Sequence, residues 1–391
     1  MRKLAIIVLF ASLLLSDTIP LSNEKIELLK LQRQKIEQDI KKGTKSWISP
    51  VSISVSATKS QDASSATSEV KSAGLGWNQD IFRSGGIEYS IKSAKDIGAV
   101  NLLGIDINEA AYIKQAYTLK AQIERDRLTY RQQELTLKNS DINLLIIKAK
   151  YKAGSADITD LSRSTIDRDN ARKNLIATKN ILQNELFGLK KLIGNKQIDT
   201  IKLPNIQLLS EKEYIKNNLE LLKYRAMDQS NNTSLQLTKS SYMPKLTFGA
   251  SAGYSNYKGN IVGYSGDHYS YGLTLSMPLD INNKATIESA RLEYLQSKEA
   301  GIDRKLELEQ EYQMHMNNIA DFKEKISVAE DMMKMYDDLY SFTDKQYKAG
   351  FKSAYDLESL KNSLQIQKLE KQIEEYNIII EKISLYFDTK F

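Results

Sequence analysis

Few residues in this 391-residue chain could do covalent or metal chemistry. Cysteine is absent, which removes thiolate nucleophiles, thiolate metal sites and disulfides together. His268 and His315 are the only histidines, and no serine stands with a histidine and an acid in a triad-like pattern. Met314-His315-Met316 and Met332-Met333-Lys334-Met335 offer soft ligands of the kind that take copper or silver, but methionine at helical spacing more often fills packing gaps. Paired carboxylates are abundant, and on polar helices they read as solvated faces or ion pairs. No Gly-rich loop ends in Gly-Lys-Ser/Thr, so nothing points to nucleotide. The expectation is of no catalytic residue, no cofactor and no metal. What remains is charge placement. Asp160 and Asp356 each lie six residues past the glycine of a Tyr-Lys-Ala-Gly sequence. An aspartate there sits favourably near a helix amino terminus, and several copies drawn together would repel unless a cation or basic side chain intervened.

That repeated aspartate belongs to a larger duplication. Tyr151-Lys152-Ala153-Gly154 recurs about 196 positions later as Tyr347-Lys348-Ala349-Gly350, Pro50 recurs as Pro244, and Gln79-Asp80-Ile81-Phe82 has its counterpart in Met277-Pro278-Leu279-Asp280. The order is kept and the offset is nearly constant, so the chain reads as two repeats, 19–210 and 211–391.

Each repeat holds two stretches of period two, the mark of a strand with one apolar and one wet face. Val51, Ile53, Val55 and Ala57 alternate with serines and Thr58, and Ala73, Leu75 and Trp77 with small or polar residues. Leu246, Phe248, Ala250, Ala252 and Tyr254 repeat the pattern, as do Tyr269, Tyr271, Leu273, Leu275 and Met277. Strands are predicted over about 50–58, 71–82, 245–257 and 269–281, joined by Ser-, Thr- and Gly-rich hairpins. Trp47, Trp77, Tyr254, Tyr257, Tyr264 and Tyr269 stand near the strand ends, where a membrane barrel carries an aromatic girdle.

The rest reads as helix. Long helices are predicted over about 86–151 and 284–347, each uninterrupted by proline and roughly 100 Å long at 1.5 Å per residue. Each ends at Tyr-Lys-Ala-Gly and reverses into a returning helix, about 157–192 and 353–387. The returning helices are about half as long. Helices over about 211–239 and 22–42 complete them end to end, giving a wall in which continuous helices alternate with stacked pairs.

Residues 1–18 read as a signal peptide: Arg2 and Lys3, then the apolar run Leu4 to Leu15, then Ser16-Asp17-Thr18. No later run is long and apolar enough for a membrane helix, so any membrane crossing must be a closed strand barrel. The net charge of +6 is spread along the helices, which speaks against nucleic acid. Four strands cannot surround a hole, whereas three chains would supply twelve. A homotrimer is therefore expected. The fold class is an α+β membrane channel with internal duplication, its trimeric 12-stranded β-barrel continuous with a long periplasmic α-helical barrel. A soluble periplasmic coiled-coil or adaptor-like protein is the other reading.

The ordered, duplicated motifs resemble the TolC-like outer-membrane efflux proteins over about residues 22–388. Two positions depart: Asp80 stands where the family usually has proline, and Asp280 where it has an aromatic residue. The resemblance implies a passive duct in the outer membrane and periplasm that meets an inner-membrane transporter through a periplasmic adaptor, for efflux or type I secretion. It places the periplasmic gate at Tyr347, Lys352 and Asp356, with Ser359 where a second aspartate is often seen and Glu358 beside it. Tyr151, Asp157, Asp160 and Arg163 are the partners expected in the first hairpin. Ala153, Gly154, Ser155, Ala349, Gly350 and Phe351 are the expected adaptor contacts at the hairpin tips.

Overall fold

A computed structural model describes residues 20–61 and 66–389; the expected signal peptide lies outside them. In chain order the elements are α1 (Asn23–Thr44), β1 (Ser52–Gln61), β2 (Thr67–Phe82), α2 (Gly86–Lys152), α3 (Ile158–Ile193), α4 (Glu211–Asn217), α5 (Leu219–Ser241), β3 (Lys245–Gly259), β4 (Gly263–Ser276), α6 (Asn283–Lys348) and α7 (Ala354–Tyr386), with a single 3-10 turn at Ile198–Thr200. They form two compact units. A strand unit comprises Lys30–Asp106 and Glu220–Arg304, and a hairpin unit comprises Ile107–Leu219 with the described residues 20–29 and 305–389.

In the strand unit the four strands make one antiparallel sheet in the order β1-β2-β3-β4. Residues paired across strands share a face. One face therefore carries Ile53, Leu75, Ala252 and Tyr269 in one row and Val55, Ala73 and Tyr254 in the next, with Trp77, Ala250 and Tyr271 on the other side. The opposite face carries rows of small residues: Ser52, Gly76, Ser251 and Ser270, then Ser54, Gly74, Gly253 and His268. The apolar face is uncovered, with Ile53 and Val55 78% and 81% exposed. The strands differ from expectation at their outer ends. β2 begins at Thr67 and β4 at Gly263, because the polar and glycine-rich residues read as loop still meet the only demand of a ladder, paired backbone groups. β4 stops at Ser276, short of Pro278, which has no N–H to donate. Tyr257 and Tyr264 stack on each other at 5.3 Å on the face of small residues, not with the remaining aromatics on the apolar face.

Beneath the sheet, Gln79 ties the approach to β1. Its amide accepts from Ser49 N at 2.9 Å and donates to the Trp47 carbonyl at 2.9 Å. Ser84 and Gly85, at φ 47° and 85°, turn the chain into α2, and Ser84 Oγ donates to the Pro244 carbonyl at 2.7 Å. Helix contacts in this unit follow the order α1-α2-α5-α6. Arg33 meets Asp106 at 2.5 Å, Thr233 Oγ1 donates to Asp96 at 2.6 Å, and Arg304 meets Glu220 at 2.6 Å.

In the hairpin unit the order is α3-α2-α7-α6. Asn143 donates to Ser164, and Asn362 donates to Asn139 at 2.9 Å. Lys371 pairs with Glu330 at 2.8 Å, and His315 pairs with Glu381. The segment after α3 crosses α2 and α7, where Ile206 joins Tyr117, Ala121 and Ile383 in a buried cluster. Two helix ends meet two helix starts: Ser22 N donates to the Leu192 carbonyl and Leu219 N to the Asp388 carbonyl, both at 2.9 Å. The helix expected over 211–239 is broken at Asn218, whose extended backbone (φ −60°, ψ 126°) makes an antiparallel bridge with Thr389. A partner so remote in sequence leaves no local signal.

Close approach of α1 and α2 depends on small residues. A Cβ added at Gly43 would lie 2.7 Å from the Ala94 Cβ. Overpacking of this kind costs about 1–3 kcal/mol, more than the roughly 1 kcal/mol gained from alanine's helix propensity. Gly43→Ala is expected to lower the midpoint of thermal unfolding; an unchanged or raised midpoint would show that α1 is free to shift.

Candidate functional site

The two hairpins reverse by the same backbone device. In the first, Ser155 N donates to the Lys150 carbonyl at 2.9 Å and Gly154 N to the Tyr151 carbonyl at 3.0 Å; in the second, Phe351 N donates to Gln346 and Gly350 N to Tyr347 at the same distances. These 6→1 and 5→2 bonds make a Schellman end, which requires a left-handed residue at the turn. Gly154 and Gly350 take it at φ 71° and 80°. A Cβ at either glycine would meet nothing within 4 Å, so φ and not space demands glycine. Ala153, Ser155, Ala349 and Phe351 flank these glycines and are all exposed, Phe351 at 82%.

Each returning helix then starts with a capping box. Asp157 accepts from Asp160 N at 2.8 Å, and Asp160 reaches back to Asp157 N at 3.4 Å. Ser353 Oγ accepts from Asp356 N at 3.3 Å, and the Asp356 carboxylate accepts from Ser353 N at 3.0 Å and Ser353 Oγ at 2.8 Å. The repeated aspartates therefore hold helix starts, whatever else they do. The Asp356 carboxyl is kept below its ordinary pKa first by the Ser353 backbone N–H and hydroxyl, then by the ammonium groups of Lys352 and Lys150. Lys150 belongs to the first hairpin, so the arrangement brings the two hairpins' charges together at Asp356. Tyr151 and Tyr347 lie in the last turns of α2 and α6, each about two-fifths exposed. Arg163 is exposed on α3. Among the described residues no hydrogen bond joins Tyr151, Tyr347 or Arg163 to these aspartates.

A second charged group in the hairpin unit has no motif. Arg125 Nε meets Asp126 at 2.6 Å, and its guanidinium lies 3.9 Å from Glu185 and 3.4 Å from the Asn377 amide oxygen. Asn377 in turn donates to the buried Glu374, 3.9 Å from Lys325. This line of polar groups runs across α3, α2, α7 and α6. Burial, followed by the neighbouring Asp126 charge, pushes the Glu185 carboxyl up to about 7. Sequence reading missed it because only tertiary packing brings Asp126 and Glu185 together. Elsewhere the described residues contain no group of three or more metal-ligating side chains suited to an ion, and no helix among them is long and apolar enough to cross a membrane.

Two expectations follow from these carboxylates. Removing the cap by Ser353→Ala should cost about 0.5–2 kcal/mol locally and speed amide exchange in the first turn of α7, while exchange in α3 stays as it was. Because the Asp356 value is lowered, its stabilisation is present above the ordinary carboxylate range and is lost only as pH falls below about 4. Glu185 has the opposite sign: a raised carboxyl stabilises at low pH, and that contribution disappears as pH rises through about 7. Glu185→Gln should flatten the fall in thermal stability between pH 5 and 8, and an unaltered slope would show that Glu185 is not its source.

With this geometry in place, comparison with known proteins gives a consistent picture. The family description "Outer membrane efflux protein" matches residues 212–387. No curated protein matches the chain. The outer membrane protein VceC of Vibrio cholerae superimposes with a TM-score of 0.71 at 12% identity, covering 91% of this chain and 92% of VceC. The CmeC outer membrane channel of Campylobacter jejuni gives 0.73 at 12% identity, covering 95% and 84%. The open state of the MtrE outer membrane channel of Neisseria gonorrhoeae gives 0.60 at 13%, covering 94% and 86%. At such identities the likeness to these structures is one of fold. The second repeat carries the outer membrane efflux protein signature, and the chain as a whole has the fold of the TolC-like outer-membrane channels.

Proposed function

We propose that this chain is the outer-membrane exit duct of a tripartite efflux or type I secretion system, a passive channel gated at its periplasmic end. The observation that carries the reading is the open sheet. β1 and β4 are edge strands, one face is apolar and uncovered, and the other is small and polar. Along β3 the apolar face runs from Leu246 to Tyr254, about 27 Å at strand rise, close to the height of the lipid-facing band of membrane barrels. A soluble periplasmic rod would leave Ile53, Val55 and Tyr271 against water for no gain.

Closure comes from three copies. Twelve strands lie within the range of membrane barrels, and β4 of one chain runs antiparallel to β1 of the next if the alternation continues. The helices make the same demand. The outer members of the hairpin unit keep large apolar side chains exposed, Ile176, Ile181 and Phe187 on α3 and Met314, Val328 and Phe342 on α6. A head-to-tail ring puts α6 of one protomer against α3 of its neighbour and covers both flanks.

In that ring Tyr347, Lys352 and Asp356 form the periplasmic constriction, with Tyr151, Asp157, Asp160 and Arg163 beside them. Three Asp356 carboxylates near one axis favour cations and keep the passage narrow while Lys352 and Lys150 compensate them. The tips at Ala153-Gly154-Ser155 and Ala349-Gly350-Phe351 meet a periplasmic adaptor, through which an inner-membrane transporter supplies the energy. Outer-membrane lipid surrounds the barrel. The role requires neither catalysis nor nucleic acid.

Native mass spectrometry of the detergent-extracted protein should give a trimer. A stable folded monomer would sink the closure argument. In planar bilayers, replacing Asp356 and Lys352 by alanine should raise single-channel conductance above that of the unmutated channel, and unchanged conductance would reject the gate assignment.

A further inference from the structure

Above the apolar rows of the sheet, the same face turns basic. Lys71 is paired with Ala57 and Asn256, one row beyond Val55, Ala73 and Tyr254; Lys59, Glu69 and Lys258 are paired in the row after that. Lys71 Nζ lies 2.6 Å from the Glu69 carboxylate, and the Lys59 and Lys258 ammonium groups are close enough to act on it as well. A cross-strand ladder needs one cation per carboxylate. Here three surround one. The other acid on this face among the described residues, Asp267, sits a row lower at the β4 edge, in register with Tyr254, so a positive surplus remains among them when it is counted.

The opposite face is different at the same height. It carries Ser56 with Ser72, Thr58 with Val70, Tyr257 and Tyr264, then Ser60 with Ser68, and no charge among the described residues. A hairpin end that is merely solvated would spread its charges over both faces. Confinement of the lysines to the face continuous with the apolar band points to a partner on that side. Lys71 lies about 7 Å along the strand above the last apolar row and Lys59 and Lys258 about 13 Å above it. Strand tilt shortens both heights, and lysine stems can lie along apolar surface while the ammonium groups reach outward. These are the heights of lipid headgroups just beyond the hydrocarbon layer.

We infer that Lys59, Lys71 and Lys258 form a site on the outer rim of the barrel for the phosphate groups of an outer-leaflet lipid. The inference rests on the barrel reading above, which sets the hairpin ends outward and the apolar face toward lipid. Each lysine near a membrane surface adds attraction to anionic headgroups, and Glu69 holds Lys71 in place without neutralising the group.

The test uses full-length trimer in phosphatidylcholine vesicles doped either with bis-phosphorylated lipid A or with the same glycolipid stripped of both phosphates. After gentle extraction, native mass spectrometry counts the glycolipid retained. Retention of the phosphorylated form at least about tenfold above the stripped form, lost in the K59Q/K71Q/K258Q variant and insensitive to excess inorganic phosphate, is the expected result. Equal retention of the two glycolipids overturns the inference even if the triple variant does not assemble. So does full retention by that variant, or displacement by inorganic phosphate, which would mark a general anion site. The same wild-type preparation is assayed for conductance. Conducting trimers without lipid preference would remove this inference alone, whereas trimers that never conduct would remove the channel reading with it.

Discussion

A strand edge inside a bilayer has no water to turn to. Each unpaired backbone N–H and C=O there costs several kcal/mol, and this sheet has two full-length edges, β1 and β4. The proposed assembly follows from that debt in hydrogen bonds. In the proposed barrel four strands cannot curl their own edges together, so each edge would pair with that of another copy.

The helical wall meets a milder version of the same requirement. Two of its helix lines are continuous, α2 and α6, and the others are made of shorter helices joined end to end, α3 with α1 and α7 with α5. The joints are held by backbone bonds, Ser22 to Leu192 and Leu219 to Asp388, and not by bulky side chains. Both reversals use glycine in the left-handed region followed by a capped helix start. The duplication therefore copies a stereochemical solution as well as a sequence, and the aspartates of the two capping boxes are fixed in place before any role in conduction is asked of them.

Much of this was legible in the residues. Alternation at Val51–Thr58 and Leu246–Tyr254 announced two-faced strands, and the twin Tyr-Lys-Ala-Gly sequences announced paired reversals, because both signals are local and periodic. The faces of the tyrosines were legible too but demanded parity: Tyr254 and Tyr257 are an odd number of residues apart and must point to opposite faces. The break at Asn218 was hidden because its cause, Thr389, is contributed by the far end of the chain. Glu185 was hidden for a related reason. Nothing in the acidic content of α3 distinguishes a carboxylate turned toward Asp126 from one turned toward water, and the difference arises only when α2 packs against it.

The small-residue face of the sheet has a consequence for traffic. Several of its hydroxyls are engaged with each other and with the backbone: Ser56 with Ser72 at 2.8 Å, Ser251 with Ser270 at 2.8 Å, Ser52 with the Gly76 carbonyl at 3.0 Å. Glycines fill much of the remainder. In the proposed duct, a molecule sliding along such a surface would meet few loose donors and, among the described residues, no carboxylate or ammonium group until it reached the ends, so its dwell time would be short whatever its chemistry. In the proposed duct, indifference of the wall would thus be a kinetic property, letting one tube serve cargoes that share nothing but a size limit.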